Sequence, residues 1–472
     1  MDTRPLYSRS AGVLTNMDAL TGLRGVCAIW IMVFHCLFFS DLHWDIEGSA
    51  VMPLFLMLSG FTLAIVYGRH KYKRVNLKFI EFDDEDDASA ATSNDAMFHP
   101  VNSSDPENGE EVGKVEVRSM EIGKFFQNRA ARILPVYYLT TLLAIPYTLG
   151  GFGTMPAKDT FAPLTIITNV VPINTLFSFT IGAPYLGTAW TVATLCVFWF
   201  FFPYLLTTYQ RYSDEDLLKK ITFMYYLQFV IVFVGFAGGY MLTDNFFVAF
   251  CTGTMNPIGR LPLFIMGICA GLLCGRHPAR GTVTTGASVA TTEDTLPWSH
   301  AWLSTFPGSD LIKDDWRTIS RDMSLYLLFT FLVWAAVTSF VVELFGAIIL
   351  QALVPFAQLT VIVALTRDCS EGNTAFQFLT HWLTQWLGRI SMTIYLVHYL
   401  FITYLEWYVY HWKVLPYCNF YDEDADCDEQ ANALVMPTWG IPAVIVLSMI
   451  AAPVIFYGFE EPVRKLLQVQ KK

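Results

Sequence analysis

The first long apolar stretch of this chain contains Arg24 and His35, eleven residues apart. Ionisable side chains at membrane depth are costly to desolvate, so a cation and an imidazole within one stretch of span length are candidates for chemistry. At about 100° and about 1.5 Å per residue, the offset returns both to nearly the same helix face, about 16 Å apart along the axis. A guanidinium grips phosphates in two-pronged fashion. An imidazole, with an unperturbed pKa of about 6.5, can take the proton of a hydroxyl near neutral pH or accept a group covalently. The bland alternative is a buried histidine bonded to a neighbouring helix and an arginine that snorkels to the headgroups, and two costly residues on one face weigh against it. A second cationic pair, Arg129 and Arg132, is three residues apart and therefore shares one helix face.

The elements that must position these groups are membrane spans. Of 472 residues, 54% are hydrophobic and 15% aromatic, against 15% charged, which places the chain among polytopic membrane proteins. The formal net charge of −11 comes largely from acidic loops, around 83–87 and 422–429, and nothing in the sequence carries a nucleic-acid signature. Apolar runs of membrane length fall at 23–39, 51–67, 133–149, 188–208, 221–242, 258–275, 323–342, 345–365, 386–409 and 438–459. An eleventh stretch, 161–181, holds Pro163, Asn169, Pro172 and Asn174, and is read as re-entrant or interfacial, because such breaks persist only where protein or water covers the freed backbone. The expected fold class is all-α: a polytopic transmembrane helix bundle of about ten spans plus that one segment. No basic region, short apolar core and small-residue cleavage site precede the first span, so it is expected to be retained.

The distribution of Lys and Arg orients the bundle. Alternate connections carry Arg4 and Arg9; Arg69, Lys71, Lys73, Arg74, Lys124, Arg129 and Arg132; Arg211, Lys219 and Lys220; Arg276, Arg280, Arg317 and Arg321; Arg367 and Arg389; and Arg464, Lys465, Lys471 and Lys472. The intervening loops hold little beyond Lys158, Arg260 and Lys413. By the positive-inside rule both termini are cytoplasmic, which requires an even number of spans, and ten satisfies it. The organisation then reads as 1–68, the first two spans; 69–124, an acidic cytoplasmic insertion; 125–275, spans three to six; 276–320, a flexible cytoplasmic loop; and 321–472, spans seven to ten with an external loop at 410–437. The insertion, poor in large apolar residues, is expected to be disordered, and its sequon at Asn102 to be unmodified on that side. Cys418 and Cys427 share the external loop and are positioned to pair under oxidising conditions. Neither polar stretch holds a ligand cluster with metal-like spacing, and no metal is expected.

Several motifs, in order, resemble the acyltransferase-3 family of integral membrane acyltransferases. They are Arg24-x10-His35 in the first span, Phe55-Leu-Met-Leu-Ser59-Gly60-Phe61 in the second and Arg129-x-x-Arg132 before the third. Further matches are Pro262-Leu-Phe-Ile-Met-Gly267, Leu387-Gly-Arg-Ile-Ser391 with Tyr395-Leu-Val-His398, and Glu461-Pro462 after the last span. The family is similar to sugar and O-antigen O-acetyltransferases and to nose-resistant-to-fluoxetine proteins. The resemblance implies transfer of an acyl group, acetyl by default, from cytoplasmic acyl-CoA (acetyl-CoA) as donor substrate, with no permanently bound cofactor, to a glycan or lipid hydroxyl at the membrane. By the same resemblance His35 is the catalytic histidine and Arg24, Arg129 and Arg132 are essential arginines; Arg24 is read as catalytic with His35, and Arg129 and Arg132 as donor-binding. The residue types agree: three arginines at the cytoplasmic boundary suit the phosphates of CoA, with its long arm running toward His35. Pro135 is expected in the first turn of the third span, where a missing N–H is tolerated.

Ser59, Trp190 and His398 are the further candidates for substrate contact, with helix packing the first role expected at Ser59 and Gly60. Glu343 and Glu406 are the remaining carboxylates in or at the outer ends of spans and are read as structural. One departure stands out. The family pattern Trp-Ser-Leu-Ser-Val-Glu-Glu is here Trp190-Thr-Val-Ala-Thr-Leu195-Cys196, without either carboxylate. That loss keeps a scaffold or sensor without catalysis as one alternative function, and a transporter with a polar interior as another. The topology makes a direct prediction: a single cysteine introduced near Asn94 is protected from an impermeant thiol reagent in intact cells, and one near Asp424 reacts. Labelling at both positions would refute ten spans with cytoplasmic termini.

Overall fold

The computed structural model describes residues 17–40, 42, 48–68, 120–149, 162–177, 187–243, 251–276, 354–363, 365–366, 374–409 and 436–468. The candidate span at 323–342, most of that at 345–365, Glu343, the insertion with Asn102, and the loop with Cys418 and Cys427 lie outside them.

Among the described residues the protein is all-α, and its one β-bridge joins Ser40 to Met436. We number the helices α1 (Asp18–Phe38), α2 (Met52–Tyr67), α3 (Ile122–Leu149), α4 (Ala162–Val170), α5 (Trp190–Tyr209) and α6 (Asp214–Thr243). They continue with α7 (Pro257–Arg276), α8 (Val354–Val363), α9 (Thr374–Thr380), α10 (Trp382–Val409), α11 (Gly440–Ile455) and α12 (Glu461–Leu467). A π-helical turn, Phe456–Glu460, joins the last two. Among the described residues, five helical stretches are both long and apolar enough to cross a bilayer: Asp18–Phe38, Gly187–Tyr209, Asp214–Leu242, Gly253–Arg276 and Gly440–Leu467. The more polar α3 and α10, of 28 residues each, also exceed the length of about 20 that a crossing needs.

Two helix pairs form the framework, α1 against α10 and α2 against α7. With little hydrophobic drive between helices in lipid, close backbone approach at small residues is what holds such pairs. A β-carbon added at Gly60 would overlap the Phe264 carbonyl oxygen, and one at Gly267 would overlap that of Met57. In the other pair, a β-carbon at Gly388 would overlap the Thr21 carbonyl oxygen and one at Gly25 would lie 2.6 Å from the Gly388 nitrogen. Gly60 therefore has the packing role read from the sequence. At its far end α1 is fastened to the segment before α11, where the Met436 N–H donates to the Phe39 carbonyl at 2.8 Å.

Two expectations meet the structure differently. Helix α3 begins at Ile122 rather than near 133, so Pro135 lies inside the helix, not in its first turn. The apolar run alone misses this beginning because its first turns are amphipathic. Phe125 and Ala131 are each 1% exposed, with Phe125 stacked on Phe202 at 5.2 Å, while Lys124 and Gln127 face outward. The broken stretch at 161–181 forms α4, nine residues and about 13 Å long, too short to cross, followed by the 3-10 turn Asn174–Phe177. Its last carbonyls are covered by protein: the Tyr137 hydroxyl donates to Asn169 O and the Tyr138 hydroxyl to Val170 O, each at 2.8 Å.

The glycine contacts generate a stability test. Gly267→Val and Gly388→Val push a branched side chain into backbone and are expected to cost about 1–3 kcal/mol or more, read as a lowered thermal midpoint in detergent. Gly275→Ala, whose β-carbon meets nothing within 4 Å, should leave the midpoint unchanged or raise it. Equal midpoints for all three would contradict the framework.

Candidate functional site

Helix α1 carries both Arg24 and His35, and its packing on α10 brings His35 to His398. The two imidazoles share a hydrogen bond, His35 Nδ1 to His398 Nε2 at 2.8 Å, with ring centroids 5.1 Å apart and planes inclined by only 16°. His398 is fully buried and His35 partly so. On its other side the His398 ring meets a backbone carbonyl, Nδ1 to Ile394 O at 2.9 Å.

These two contacts fix the protons. A carbonyl oxygen only accepts, so His398 Nδ1 carries the hydrogen and donates it to Ile394 O. In the neutral ring Nε2 is then bare and acts as acceptor. His35 must therefore donate through Nδ1, and its own Nε2 keeps a lone pair. His35 is bonded to a neighbouring helix, as the structural alternative from the sequence required, yet the partner's identity leaves the outer nitrogen of His35 basic.

Aromatic rings fence this nitrogen pair. Tyr399 stands edge-on to His35 at 5.7 Å, and Phe39 lies at 6.1 Å. Tyr399 is held in turn against Gly187, and the Tyr395 hydroxyl shares a 2.5 Å hydrogen bond with Thr191 Oγ1. Trp190, the first residue of α5, is 6% exposed and packs in the same cluster as Ile31, Tyr137, Tyr395 and Tyr399. Cys196, at one of the positions where the family pattern has a carboxylate, packs on the edge of that cluster. Among the described residues no carboxylate bonds to either histidine. Ser59 lies apart on α2, half-buried, with its carbonyl accepting from Thr62 Oγ1 at 3.1 Å and no hydrogen bond to the histidines.

The arginines gather elsewhere, where Arg132 of α3 meets Arg24, which stands about 16 Å along α1 from His35. Arg132, which keeps exposed surface, feels the charges of Arg24, Arg129, Arg464 and Glu460. The Arg129 guanidinium lies 5.7 Å over the Tyr67 ring, with its Nε buried and without a hydrogen-bond partner. Glu460, 4% exposed at the end of the π-turn, accepts from Thr393 Oγ1 at 2.5 Å. The structure thus gathers Arg24, Arg129 and Arg132 in one cluster and pairs His35 with His398. It adds Arg464 and Glu460, which sequence reasoning missed. Their signal was the adjoining Glu461-Pro462, read only as a family marker.

The arrangement separates two functions: a basic imidazole nitrogen in an aromatic enclosure, and a guanidinium cluster about three helical turns away that suits a phosphorylated ligand. Residues 17–457 match the acyltransferase domain model Acyl_transf_3, which covers both sites except for Glu460 and Arg464. No curated protein and no solved structure matches the chain. With that match spanning nearly the whole sequence, the chain belongs to the acyltransferase-3 family and is an integral membrane acyltransferase in the general sense.

Proposed function

We propose that this protein moves an acyl group, acetyl by family default, from cytoplasmic acyl-CoA to a hydroxyl of a glycan or lipid acceptor, with His35 as general base. The observation that carries the reading is the hydrogen-bonded histidine pair, which leaves His35 Nε2 as a lone-pair donor. In the proposed step the acceptor hydroxyl oxygen attacks the thioester carbonyl carbon while its proton passes to His35 Nε2. The C–S bond then breaks, and the departing CoA sulfur takes that proton back. An ester and CoA thiol leave, and His35 is neutral again. While His35 is protonated, its Nδ1–H remains directed at His398 Nε2, so the added charge is met by an oriented acceptor in a site of low dielectric.

The donor's phosphates are assigned to Arg24, Arg129 and Arg132. The thioester arm is assigned to the space between this cluster and His35. The basic loops support a reading in which both termini lie on the donor side. The missing carboxylates at Leu195 and Cys196 favour a second reading, a family member without catalysis that acts as scaffold or sensor, and turnover of acyl-CoA by purified protein decides between the two.

His35→Ala is expected to lower acyl transfer by about 10²-fold or more while leaving insertion and expression near normal. His398→Gln, which offers a carbonyl acceptor to His35 Nδ1, should retain more activity than His398→Leu, which offers none. Wild-type turnover in His35→Ala would remove the catalytic assignment, and equal loss in the two His398 variants would reduce that residue to packing. Arg129→Ala and Arg132→Ala should each weaken acyl-CoA binding by about 1.5–3 kcal/mol, as expected for a lost charge-assisted bond, with lysine restoring only part. Titration of acyl-CoA at fixed salt measures this, and unchanged affinity in both would leave them as positive-inside anchors.

A further inference from the structure

Four cations, Arg24, Arg129, Arg132 and Arg464, meet around Arg132 with Glu460 beside them, and Glu461 is divided between Arg464 at 3.8 Å and Lys465 at 3.0 Å. Like charges at the edge of an apolar bundle repel more strongly than in water, so this collection is best satisfied by a ligand carrying several negative charges. The buried, unpartnered Nε of Arg129 is a donor awaiting an acceptor at the same place.

Arg464 reaches the cluster from a different direction than the other three. It stands on α12, which follows the π-turn Phe456–Glu460, a geometry that recurs at functional sites because it re-aims the chain that follows. Two bonds hold this piece in place: Thr393 Oγ1 donates to Glu460 from α10, and Gln127 Nε2 of α3 donates to the Leu467 carbonyl at 2.8 Å.

We infer that Arg464 is a fourth phosphate-binding residue and that α12, aimed by the π-turn, closes the donor site over the phosphates of the acyl-CoA. This rests on the acyl-CoA reading above. CoA suits a four-guanidinium cluster chemically, since it carries a diphosphate and a further phosphate on its ribose.

The test is titration of CoA, and of adenosine 3′,5′-bisphosphate as a probe lacking the thiol arm, against full-length protein in zwitterionic nanodiscs at fixed salt. Arg464→Ala should weaken both ligands about tenfold or more, and Arg464→Lys should recover part of the loss. Glu461→Gln breaks the same ion pair while keeping the cation, so it should bind CoA at least as tightly as wild type. Unchanged CoA affinity in Arg464→Ala, with wild type binding, overturns this inference alone. So does equal weakening in Glu461→Gln, which would make the ion pair merely structural. A wild-type protein that binds neither ligand overturns both this inference and the acyl-CoA reading.

Discussion

Two neutral imidazoles 2.8 Å apart form a hydrogen bond only if one donates and the other accepts, and here the choice is made by a third group, the Ile394 carbonyl. That carbonyl already accepts in the helix ladder and has a second lone pair to offer. It fixes the His398 proton, which fixes the His35 proton, and the basic nitrogen is thereby set by backbone geometry one turn down α10. The constraint demands that α1 and α10 hold a common register to within a fraction of an ångström. The glycine contacts at Gly25 and Gly388 have that consequence, because helices touching backbone to backbone cannot slide without steric overlap.

The rest of the bundle separates charge from base. An arginine cluster next to His35 would oppose its protonation, whereas about 16 Å along α1 the interaction is far weaker. One helix therefore carries Arg24 and His35 about three turns apart. Neutral aromatic and hydroxyl groups, Tyr395 with Thr191 and Tyr399 against Gly187, surround the histidines without adding a formal charge.

Much of this was legible in the sequence, for physical reasons that differ by residue. Arg24 and His35 stand out because ionisable groups are scarce in a span and an eleven-residue spacing returns to one face. Arg129 and Arg132 follow from the same arithmetic, although the start of α3 did not: Phe125 and Ala131 bury one stripe of a segment whose other stripe is polar, which an apolar run cannot reveal. His398 was visible as a candidate but not as a partner, since pairing across 363 residues depends on the α1–α10 register. The place of Arg464 beside Arg132 was hidden further, because it depends on a π-turn that adds a residue to the helical count, and no residue type in Phe456–Glu460 announces it.

The central claim is the tautomer of His35. Solid-state ¹⁵N NMR of histidine-labelled protein in bilayers near neutral pH, assigned with the His35→Ala and His398→Leu variants, reads it directly. The structure predicts a protonated Nδ1 and a bare Nε2 at His35, coupled across the hydrogen bond to a bare Nε2 at His398, with the order at His35 lost when His398 is leucine. A His35 ring protonated on Nε2 in the wild-type protein would contradict the account.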